Sequence, residues 1–396
     1  MTSTAPIPNN SSHAPLAALV LAAGASSRMG TLKPLLRLAE IPALERSIAL
    51  FQEAGIDHVL VVLGNRAGEL RSLAEHCGAR CVDNSHHADG MYSSVVAGAC
   101  ALPPSARGIF VLPADVPLVR PATIRQLAAA FFARPGAIVY PVFDSRRGHP
   151  PLIPRTVLER AANGAAGPLC TLLATHEQAI DVPVADEAIH LDMDTPADFA
   201  RLQALAPRRE IPAAAECHAL LEQHRLPEAR IRHSQKVAAL AGRMAEALVA
   251  TGLSIDPELV RAGALLHDLA KGQPKHAAAG AAIVRSLGMP AVADIVAAHM
   301  AMDFDGALDE QAIVYLADKL VAGDQVVTLD ERFAPAQLRF HDNPEARKAA
   351  QRRKAVAENI AAAIEARLGA PLRTLLEDDP LSDKEHPVAV PQEVRR

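Results

Sequence analysis

Apolar runs and helical periods alternate through the first half of the 396-residue chain. The apolar runs, which are typical of buried strands, are Leu16–Ala22, His58–Leu63, Ala79–Val82, Gly108–Leu112, Ala137–Val142 and Gln178–Val182. Segments such as Ala43–Ala54 and Ala122–Phe132 lie between these runs and repeat their apolar residues with the period of a helix. Such alternation predicts an α/β domain in which a mostly parallel sheet carries helices on both faces.

The pattern changes after Pro207. Residues Pro207–Glu216 carry prolines and charges, and helical periods without a convincing strand follow them. The predicted helices are Cys217–His224, Glu228–Ala250, Pro257–Leu269, His276–Leu287, Ala291–Ala298, Glu310–Val321 and Pro344–Leu368. We therefore predict an α/β domain over 16–206, a linker at 207–215, an all-α bundle over 216–370, and disordered tails at 1–15 and 371–396.

Composition excludes several classes of partner. A net charge of −5 and the lack of a basic stripe argue against nucleic-acid binding, and three Tyr, nine Phe and no Trp offer few stacking platforms. No uncharged apolar run reaches the roughly 18 residues of a membrane span, and the N-terminus lacks the pattern of a secretory signal. The five cysteines form no C-x-x-C pair. We predict a cytoplasmic protein with no nucleic-acid or membrane partner.

A glycine-rich segment follows the first predicted strand. It reads LAAGASSRMGTLK from Leu21 to Lys33, and its spacing fits neither the Walker loop nor the dinucleotide fingerprint. Gly24 and Gly30 allow the backbone to approach a ligand closely, while Arg28 and Lys33 add positive charge. The segment is predicted to bind phosphate, and the alternative is a basic surface turn. The predicted nucleotide-binding residues are Leu21, Ala22, Ala23, Gly24, Gly30 and Lys33.

Carboxylates follow two other predicted strands. Asp115 lies in the turn Pro113-Ala-Asp-Val-Pro117, and Asp192 and Asp194 lie in Leu191-Asp-Met-Asp-Thr-Pro196. Ligands of open α/β sheets bind at the carboxyl ends of the strands, so these side chains are candidate Mg²⁺ ligands. An alternative for Asp194 is that it only caps the helix that Pro196 can begin.

Three motifs together carry a family resemblance. LAAGASSRMGTLKPLL, PADVPLV and LDMDTPADF resemble the signature of nucleotidyltransferases with a Rossmann-like, MobA-like fold. DNSHHADGMYSSVVAGA and the tripeptide Gly148-His-Pro150 are similar to elements of the molybdenum cofactor cytidylyl- and guanylyltransferases. The resemblance implies transfer of a nucleoside monophosphate to the terminal phosphate of molybdopterin, with release of pyrophosphate.

The resemblance also implies roles for individual residues. Arg28 and the Gly24–Gly30 loop hold the β- and γ-phosphates, Lys33 neutralises charge at the α-phosphate, and Asp115 carries Mg²⁺ with Asp192 or Asp194. Ala23 is similar to the residue of the cytidylyl members, which favours CTP over GTP. The implied acceptor-binding residues are Ser93, Ser94 and His149. The two serines can equally mark the start of a helix with no substrate role.

Histidines and aspartates recur at wide spacing in the helical half. His233, His267-Asp268 and Asp318 fall on three predicted helices, and imidazoles and carboxylates are ligands of divalent metals. The order of these residues, with Lys271 after the His-Asp pair, resembles the HD phosphohydrolases over Cys217–Leu368. His276 and His299 are similar to the additional ligands of two-metal members. The resemblance implies a bound divalent metal such as Mn²⁺, Fe²⁺ or Mg²⁺.

The combined hypothesis is a nucleotidyltransferase fused to an HD phosphohydrolase-like domain. Its substrates are CTP, or GTP, and the molybdenum cofactor, and a molybdenum hydroxylase apoenzyme is a further expected partner. Two alternatives stay open. One is a cytidylyltransferase for a sugar or isoprenoid phosphate, and the other is a cofactor-delivery chaperone whose HD region senses a ligand without catalysis.

Overall fold

The structure is a computed structural model that describes residues 16–24, 32–64, 67–163, 169–339 and 342–377. The chain divides into two compact units. The first contains Met1–Leu226 together with Ala279–Ala293, and the second contains Pro227–Ala278 and Asp294–Arg396. Within the described residues, no helix is both long enough and apolar enough to cross a membrane.

The first unit is built on one mostly parallel sheet. Its strands are β1 (Leu16–Ala22), β2 (Arg37–Leu38), β3 (Ile41–Pro42), β4 (His58–Leu63), β5 (Arg80–Asp83), β6 (Gly108–Pro113), β7 (Ile138–Phe143), β8 (Arg146–Arg147), β9 (Leu152–Pro154) and β10 (Ala179–Pro183). The main sheet has the order β10-β7-β9-β6-β1-β4-β5, with β8 paired to β7, while β2 and β3 form a separate hairpin. Strand β9 is antiparallel to both neighbours, and β1 is parallel to both β4 and β6.

Helices cover both faces of this sheet, as predicted. They are α1 (Ala43–Glu53), α2 (Ala67–His76), α3 (Met91–Cys100), α4 (Pro121–Ala133), α5 (Arg155–Ala162), α6 (Leu169–Ala174), α7 (Pro196–Leu205) and α8 (Ala214–Gln223). Alternate residues of β1 belong to different cores: Val20 packs in the core that contains α1 and α4, and Leu19 in the core that contains α3 and α5. Because both faces of β1 are buried, its sequence is a continuous apolar run.

The end of the first unit differs from the predicted boundary. Residues 207–215 are predicted as a linker and 216 as the start of the bundle, but α8 lies in the first unit. The reason is a buried ion cluster: Glu216 accepts two hydrogen bonds of 2.8 Å from the Arg120 guanidinium and one of 3.1 Å from Arg209. Asp186 joins the cluster by accepting a 2.8 Å hydrogen bond from the Arg120 backbone N–H.

The second unit is helical. Its elements are α9 (Glu228–Ala250), α10 (Pro257–Leu266), α11 (His276–Ser286), α12 (Pro290–Ala298), α13 (Glu310–Lys319), β11 (Val321–Ala322), β12 (Gln325–Val326), α14 (Leu329–Arg339), α15 (Pro344–Leu368) and α16 (Arg373–Glu377). The division between the units falls inside α11 and α12, because Ala279–Ala293 belongs to the first unit. The helical prediction is confirmed, and the unit also contains one short antiparallel pair, in which β11 and β12 flank Gly323. The predicted tail at 371–396 begins with α16, since Leu372 is buried; residues 378–396 and 1–15 lie outside the described residues.

Candidate functional site

The first candidate site lies at the carboxyl ends of β1 and β6. These strands are parallel neighbours with Leu21 opposite Pro113, so the segments that follow them emerge side by side. Strand order reverses at β1, and such switch points are where open α/β sheets bind ligands. A cavity of about 270 Å³ opens here. Its lining is Leu21, Ala22, Ala23, Gly24, Lys33, Pro34, His87, Gly90, Met91, Ser94, Pro113, Ala114 and Asp115.

A lysine and two carboxylates meet at this cavity. The Lys33 ammonium donates a 2.7 Å hydrogen bond to Asp194 Oδ1 and lies 3.6 Å from Asp115 Oδ2, although Lys33 and Asp194 are 161 residues apart. Asp194 does not cap the following helix. Thr195 is the N-cap of α7 and forms a capping box with Asp198, so the capping alternative for Asp194 is wrong.

The electrostatics of these carboxylates suit a cation. Burial raises the pKa of Asp115, and the Lys33 ammonium only partly offsets that effect. Burial and the neighbouring Asp194 carboxylate likewise raise the pKa of Asp192, whose Oδ1 accepts a 3.3 Å hydrogen bond from the Asp194 N–H. Added positive charge stabilises the ionised form of such carboxylates. Asp115 and Asp194, which already contact one cationic group, therefore suit a divalent cation.

A second, larger cavity adjoins the first. It has a volume of about 720 Å³ and shares Gly90, Met91 and Pro113 with the smaller one. His149 lines it, and the His149 Nδ1 atom is buried with no hydrogen-bond partner in the described part of the chain. Burial lowers the pKa of His149, which favours the neutral imidazole. Gly148 brings this segment close to its neighbour, because a Cβ there would lie 2.6 Å from the Ile189 carbonyl oxygen.

The structure brings most of the predicted residues of the first unit together. Lys33, Asp115, Ser94 and the segment Leu21–Gly24 line the smaller cavity, and His149 lines the larger one. Ser93 lines neither cavity, and its hydroxyl instead donates a 2.8 Å hydrogen bond to the Gly90 carbonyl oxygen. The predicted phosphate-binding residues Arg28 and Gly30 lie outside the described residues.

The second candidate site is a buried cluster of histidines and aspartates in the second unit. Two groups of three side chains each place their ligand atoms within 4.8 Å of one another. One group is His233, His267 and Asp318, and the other is Asp268, His276 and His299. The structure thus brings together all six histidine and aspartate side chains that are candidate metal ligands in the sequence.

Backbone carbonyls hold three of the imidazoles in one orientation. His233, His267 and His299 each donate their Nδ1–H, over 2.7 Å, to the carbonyl oxygens of Gly323, Ala264 and Val296 respectively. The Nε2 atom of each ring then faces the cluster, which is the usual arrangement of a metal-ligating histidine. The Nε2 atom of His267 is buried without a hydrogen-bond partner in the described chain and lies 3.5 Å from Asp318 Oδ1. These observations fit bound metal.

The carboxylates of this cluster are ionised and attract positive charge. Burial opposes ionisation, but the hydrogen bond with His299 and the charges of His267 and Lys271 hold the pKa of Asp268 well below its usual range. Burial opposes the ionisation of Asp318 too, yet the adjacent Lys319 ammonium and the His233 imidazole hold its pKa far below normal. Carboxylates of this kind beside imidazole nitrogens form a ligand set that suits a divalent cation.

Two groups around the sites are not among the predicted residues. Lys319 is buried, and its ammonium donates hydrogen bonds of 2.6 Å to Asp318 Oδ2 and 2.8 Å to the His299 carbonyl oxygen. Asn84 is buried beneath the smaller cavity of the first unit and contacts both Ser93 and Ser94. Lys319 directly follows a predicted ligand and Asn84 directly follows a strand, so adjacency along the chain is the only signal that marks either residue.

Comparisons with known proteins identify two separate regions. Residues 18–180 match the family model of the MobA-like NTP transferase domain, and residues 230–323 match that of the HD domain. The chain is 38% identical over 115 residues to a molybdenum cofactor guanylyltransferase of Xanthomonas euvesicatoria, which covers 29% of this chain and 54% of that protein. It is 30% identical over 137 residues to the bifunctional protein GlmU of Geobacter sulfurreducens, which covers 34% of this chain and 28% of that protein.

Solved structures similar to this chain cover about half of it. A protein of Mycobacterium tuberculosis H37Rv is 28% identical over 48% of this chain and 100% of its own length, with a TM-score of 0.42. A nucleotidyl transferase of Methanothermobacter thermautotrophicus is 22% identical over 49% of this chain and 98% of its own, with a TM-score of 0.43. From the family models and the sites described above, residues 18–180 are a MobA-like NTP transferase domain and residues 230–323 are an HD domain.

Proposed function

We propose that the first domain transfers a nucleoside monophosphate from an NTP to the terminal phosphate of molybdopterin and releases pyrophosphate. The observation that carries this proposal is the cluster of Lys33, Asp115 and Asp194 in a small cavity that continues into a larger one. The smaller cavity takes the nucleotide phosphates and the larger one takes the acceptor. The match to the MobA-like family model and the similarity to a molybdenum cofactor guanylyltransferase support the choice of acceptor.

The residues of the cavity wall position the substrates and neutralise charge. Transfer requires the acceptor phosphate to approach the α-phosphorus in line with the leaving pyrophosphate, while the negative charge of the phosphoryl groups is balanced. Lys33 supplies a positive charge in the cavity at the carboxyl end of β1, and the backbone after Ala22 allows the phosphates to come close to it. Asp115 and Asp194 would hold Mg²⁺, which neutralises phosphate charge when it is bound.

CTP is the proposed nucleotide and GTP is the competing one. Ala23, whose similarity to the residue of the cytidylyl members favours CTP, lines the nucleotide cavity. The curated relative with the higher identity is a guanylyltransferase, which favours GTP. A cytidylyltransferase for a sugar or isoprenoid phosphate, and a chaperone that delivers the cofactor to a molybdenum hydroxylase, are the remaining alternatives for this domain.

For the HD domain we propose metal-dependent hydrolysis of a phosphoester. Five of the six side chains are buried and His276 is half-buried, and two partly exposed cations lie beside Asp268: the Lys271 ammonium is 3.1 Å from Asp268 Oδ1, and the Arg230 guanidinium is 3.9 Å from Asp268 Oδ2. These cations suit an anionic substrate. Mn²⁺, Fe²⁺ and Mg²⁺ all fit the ligand set, and when bound, such an ion polarises a phosphoryl oxygen.

Pyrophosphate release tests the proposal for the first domain. The full-length protein is incubated with Mg²⁺ and molybdenum cofactor, and CTP, GTP and ATP are compared side by side. Release that requires both the cofactor and CTP, or the cofactor and GTP, supports the proposal and decides the nucleotide. Release with a sugar or isoprenoid phosphate in place of the cofactor overturns the choice of acceptor. Cofactor binding without release from any nucleotide favours the chaperone alternative.

A further inference from the structure

The Asn84 carboxamide makes three hydrogen bonds, one of them to Ser94, which lines the nucleotide cavity. Asn84 directly follows β5, and only 4% of its surface is exposed. Its Nδ2 group donates to Ser93 Oγ at 2.8 Å and to Ser94 Oγ at 3.0 Å, and its Oδ1 accepts from the His86 backbone N–H at 2.9 Å. A backbone N–H can only donate, so the amide oxygen must face His86 and the NH₂ group must face the serines.

This orientation decides where the two hydroxyl hydrogens point. A serine hydroxyl has one hydrogen, and Asn84 occupies only lone pairs of the two oxygens. The Ser93 hydrogen is used in the 2.8 Å bond to the Gly90 carbonyl oxygen. The Ser94 hydroxyl has no acceptor among the described residues, and Ser94 lines the nucleotide cavity while only 4% of its surface is exposed. The Ser94 hydroxyl is therefore a buried donor, and a ligand in the cavity can accept its hydrogen bond.

The location of Ser94 suits a phosphate oxygen. The residue lies in the first turn of α3, where backbone N–H groups and the helix dipole favour negative charge. Gly90 and Met91, at the start of the same helix, line both cavities, so the beginning of α3 lies where the nucleotide and acceptor cavities meet. A φ of +91° at Gly90 lets the chain turn into the helix there.

We propose that Asn84 is a positioning residue that fixes the Ser94 hydroxyl as a hydrogen-bond donor to the phosphoryl group being transferred. This inference rests on the proposed nucleotidyltransferase function and deepens it. Ser94 contacts the substrate, and Asn84 acts only through Ser94. Ser93 hydrogen-bonds the Gly90 carbonyl oxygen at the start of α3 and does not contact the substrate. The two adjacent serines thus have different roles.

Asn84→Asp is the sharpest variant, because it keeps the shape of the side chain and reverses its hydrogen bonding. A carboxylate can accept from the His86 N–H but cannot donate to the serines, so both hydroxyls turn their hydrogens towards it. The Ser94 lone pairs then face the phosphate. Removal of one preorganised donor typically costs roughly 100- to 1,000-fold in rate, so Asn84→Asp and Ser94→Ala are each expected to lower kcat/KM by about 100-fold. Ser93→Ala is expected to lower it by less than about tenfold.

A double-mutant cycle separates positioning from a general structural role. Because Asn84 acts through Ser94, Asn84→Asp is expected to cost no more than about tenfold in a Ser94→Ala background, rather than about 100-fold. Thermal unfolding of all variants in the full-length chain checks that their stability is unchanged. If the two single effects multiply in the double variant, or if Ser93→Ala costs as much as Ser94→Ala, the inference is wrong.

The cycle also distinguishes this inference from the proposed function. If the wild-type protein releases pyrophosphate and the effects are independent, the proposed function stands and the role of Asn84 fails. If the wild-type protein releases none, the proposed function fails, and the same four proteins are compared by calorimetric binding of Mg-CTP and Mg-GTP. Coupled losses of nucleotide affinity would then support the role of Asn84, while equal affinities in all four proteins, or no binding by any of them, would overturn it.

Discussion

The two polar clusters of this protein differ in how complete they are. In the MobA-like domain, 29% of the Asp115 side chain and 53% of the Asp194 side chain are exposed, and a lysine ammonium lies between them. In the HD domain, the side chains of His267 and Asp268 are at most 2% exposed, and backbone carbonyls fix the imidazoles. The first cluster offers two partly exposed carboxylates, whereas the second offers two groups of three imidazole and carboxylate side chains.

Under the proposed function, this difference corresponds to two ways of using a divalent ion. A site of two partly exposed carboxylates binds Mg²⁺ weakly until phosphate oxygens complete the coordination, so metal and nucleotide enter together. A site of buried imidazoles and carboxylates with oriented rings binds the ion before any substrate arrives. We therefore expect metal binding at the first cluster to depend on the nucleotide, and metal binding at the second cluster to depend on the fold alone.

Replacement of Asp268 tests the buried cluster with the largest expected effect. Asp268 Oδ1 lies 3.3 Å from His276 Nε2 and 3.5 Å from His299 Nε2, and Oδ2 lies 3.8 Å from His267 Nε2. Asp268→Asn removes the charge that serves both triads, so we expect phosphoester hydrolysis to fall on the order of 1,000-fold. Metal content after gel filtration is the second readout. Asp303→Asn, on an exposed residue of the same unit, is the matched control and should change neither quantity.

The scaffold of the first cluster depends on the buried ion cluster around Glu216. Two arginines lower the pKa of Glu216 from 4.5 to about 2 despite its burial. A pKa that is lower in the folded state adds stability above the unfolded value of 4.5, and this contribution is lost as the pH falls towards 2. The shift corresponds to about 3 kcal/mol of unfolding free energy.

Glu216→Gln is therefore expected to destabilise the protein by about 3 kcal/mol at pH 7, and to flatten the loss of stability between pH 4.5 and 2. Urea unfolding of both proteins at several pH values measures this. Glu222→Gln, on an exposed position of the same helix, is the control. An unchanged pH profile in Glu216→Gln would mean that the cluster does not anchor α8.

The two carboxylates after the last strand are expected to differ in importance. Asp194 contacts Lys33 at 2.7 Å, whereas Asp192 Oδ1 contacts the Asp194 backbone at 3.3 Å. Asp194→Asn should lower pyrophosphate release by about 100-fold, and Asp192→Asn by less than about tenfold. The dependence of both rates on Mg²⁺ concentration shows whether the loss is one of metal binding. Equal losses would place both carboxylates at the ion.

Lys33→Met is expected to give the smallest change, and the informative result is whether Mn²⁺ affinity rises or falls. The ammonium competes with a metal ion for Asp115 and Asp194, so its removal should tighten Mn²⁺ binding in the absence of nucleotide by about tenfold. Pyrophosphate release should fall in the same variant, because Lys33 no longer neutralises phosphate. Paramagnetic resonance of free Mn²⁺ measures the affinity. Weaker Mn²⁺ binding in the variant would show that Lys33 does not occupy the position of the ion.

Sequence patterns predicted elements that are buried on both sides and missed those that depend on distant partners. Strands β1 and β4 are continuous apolar runs and were predicted to the residue, whereas β9 has three residues, two antiparallel neighbours and a terminal proline. The boundary at α8 was missed because the partners Arg120 and Glu216 are 96 residues apart.

The candidate sites follow the same rule. The histidines and aspartates that cluster in the HD domain could be selected from the sequence, because their order along the chain resembles that of the HD phosphohydrolases. Asn84 and Lys319 could not, since their importance comes from what they contact: Asn84 from two serine hydroxyls and Lys319 from a ligand carboxylate. Apart from adjacency to a strand or to a predicted ligand, nothing in the local sequence distinguishes such residues from ordinary polar ones.

The most direct test is the number of Mn²⁺ ions bound by the full-length protein with and without CTP or GTP, measured by equilibrium titration. We predict about two tightly bound ions per chain without nucleotide, both lost in Asp268→Asn, and about one more when nucleotide is present, lost in Asp194→Asn. A stoichiometry that is the same with and without nucleotide, or tight ions that remain in Asp268→Asn, would contradict this prediction.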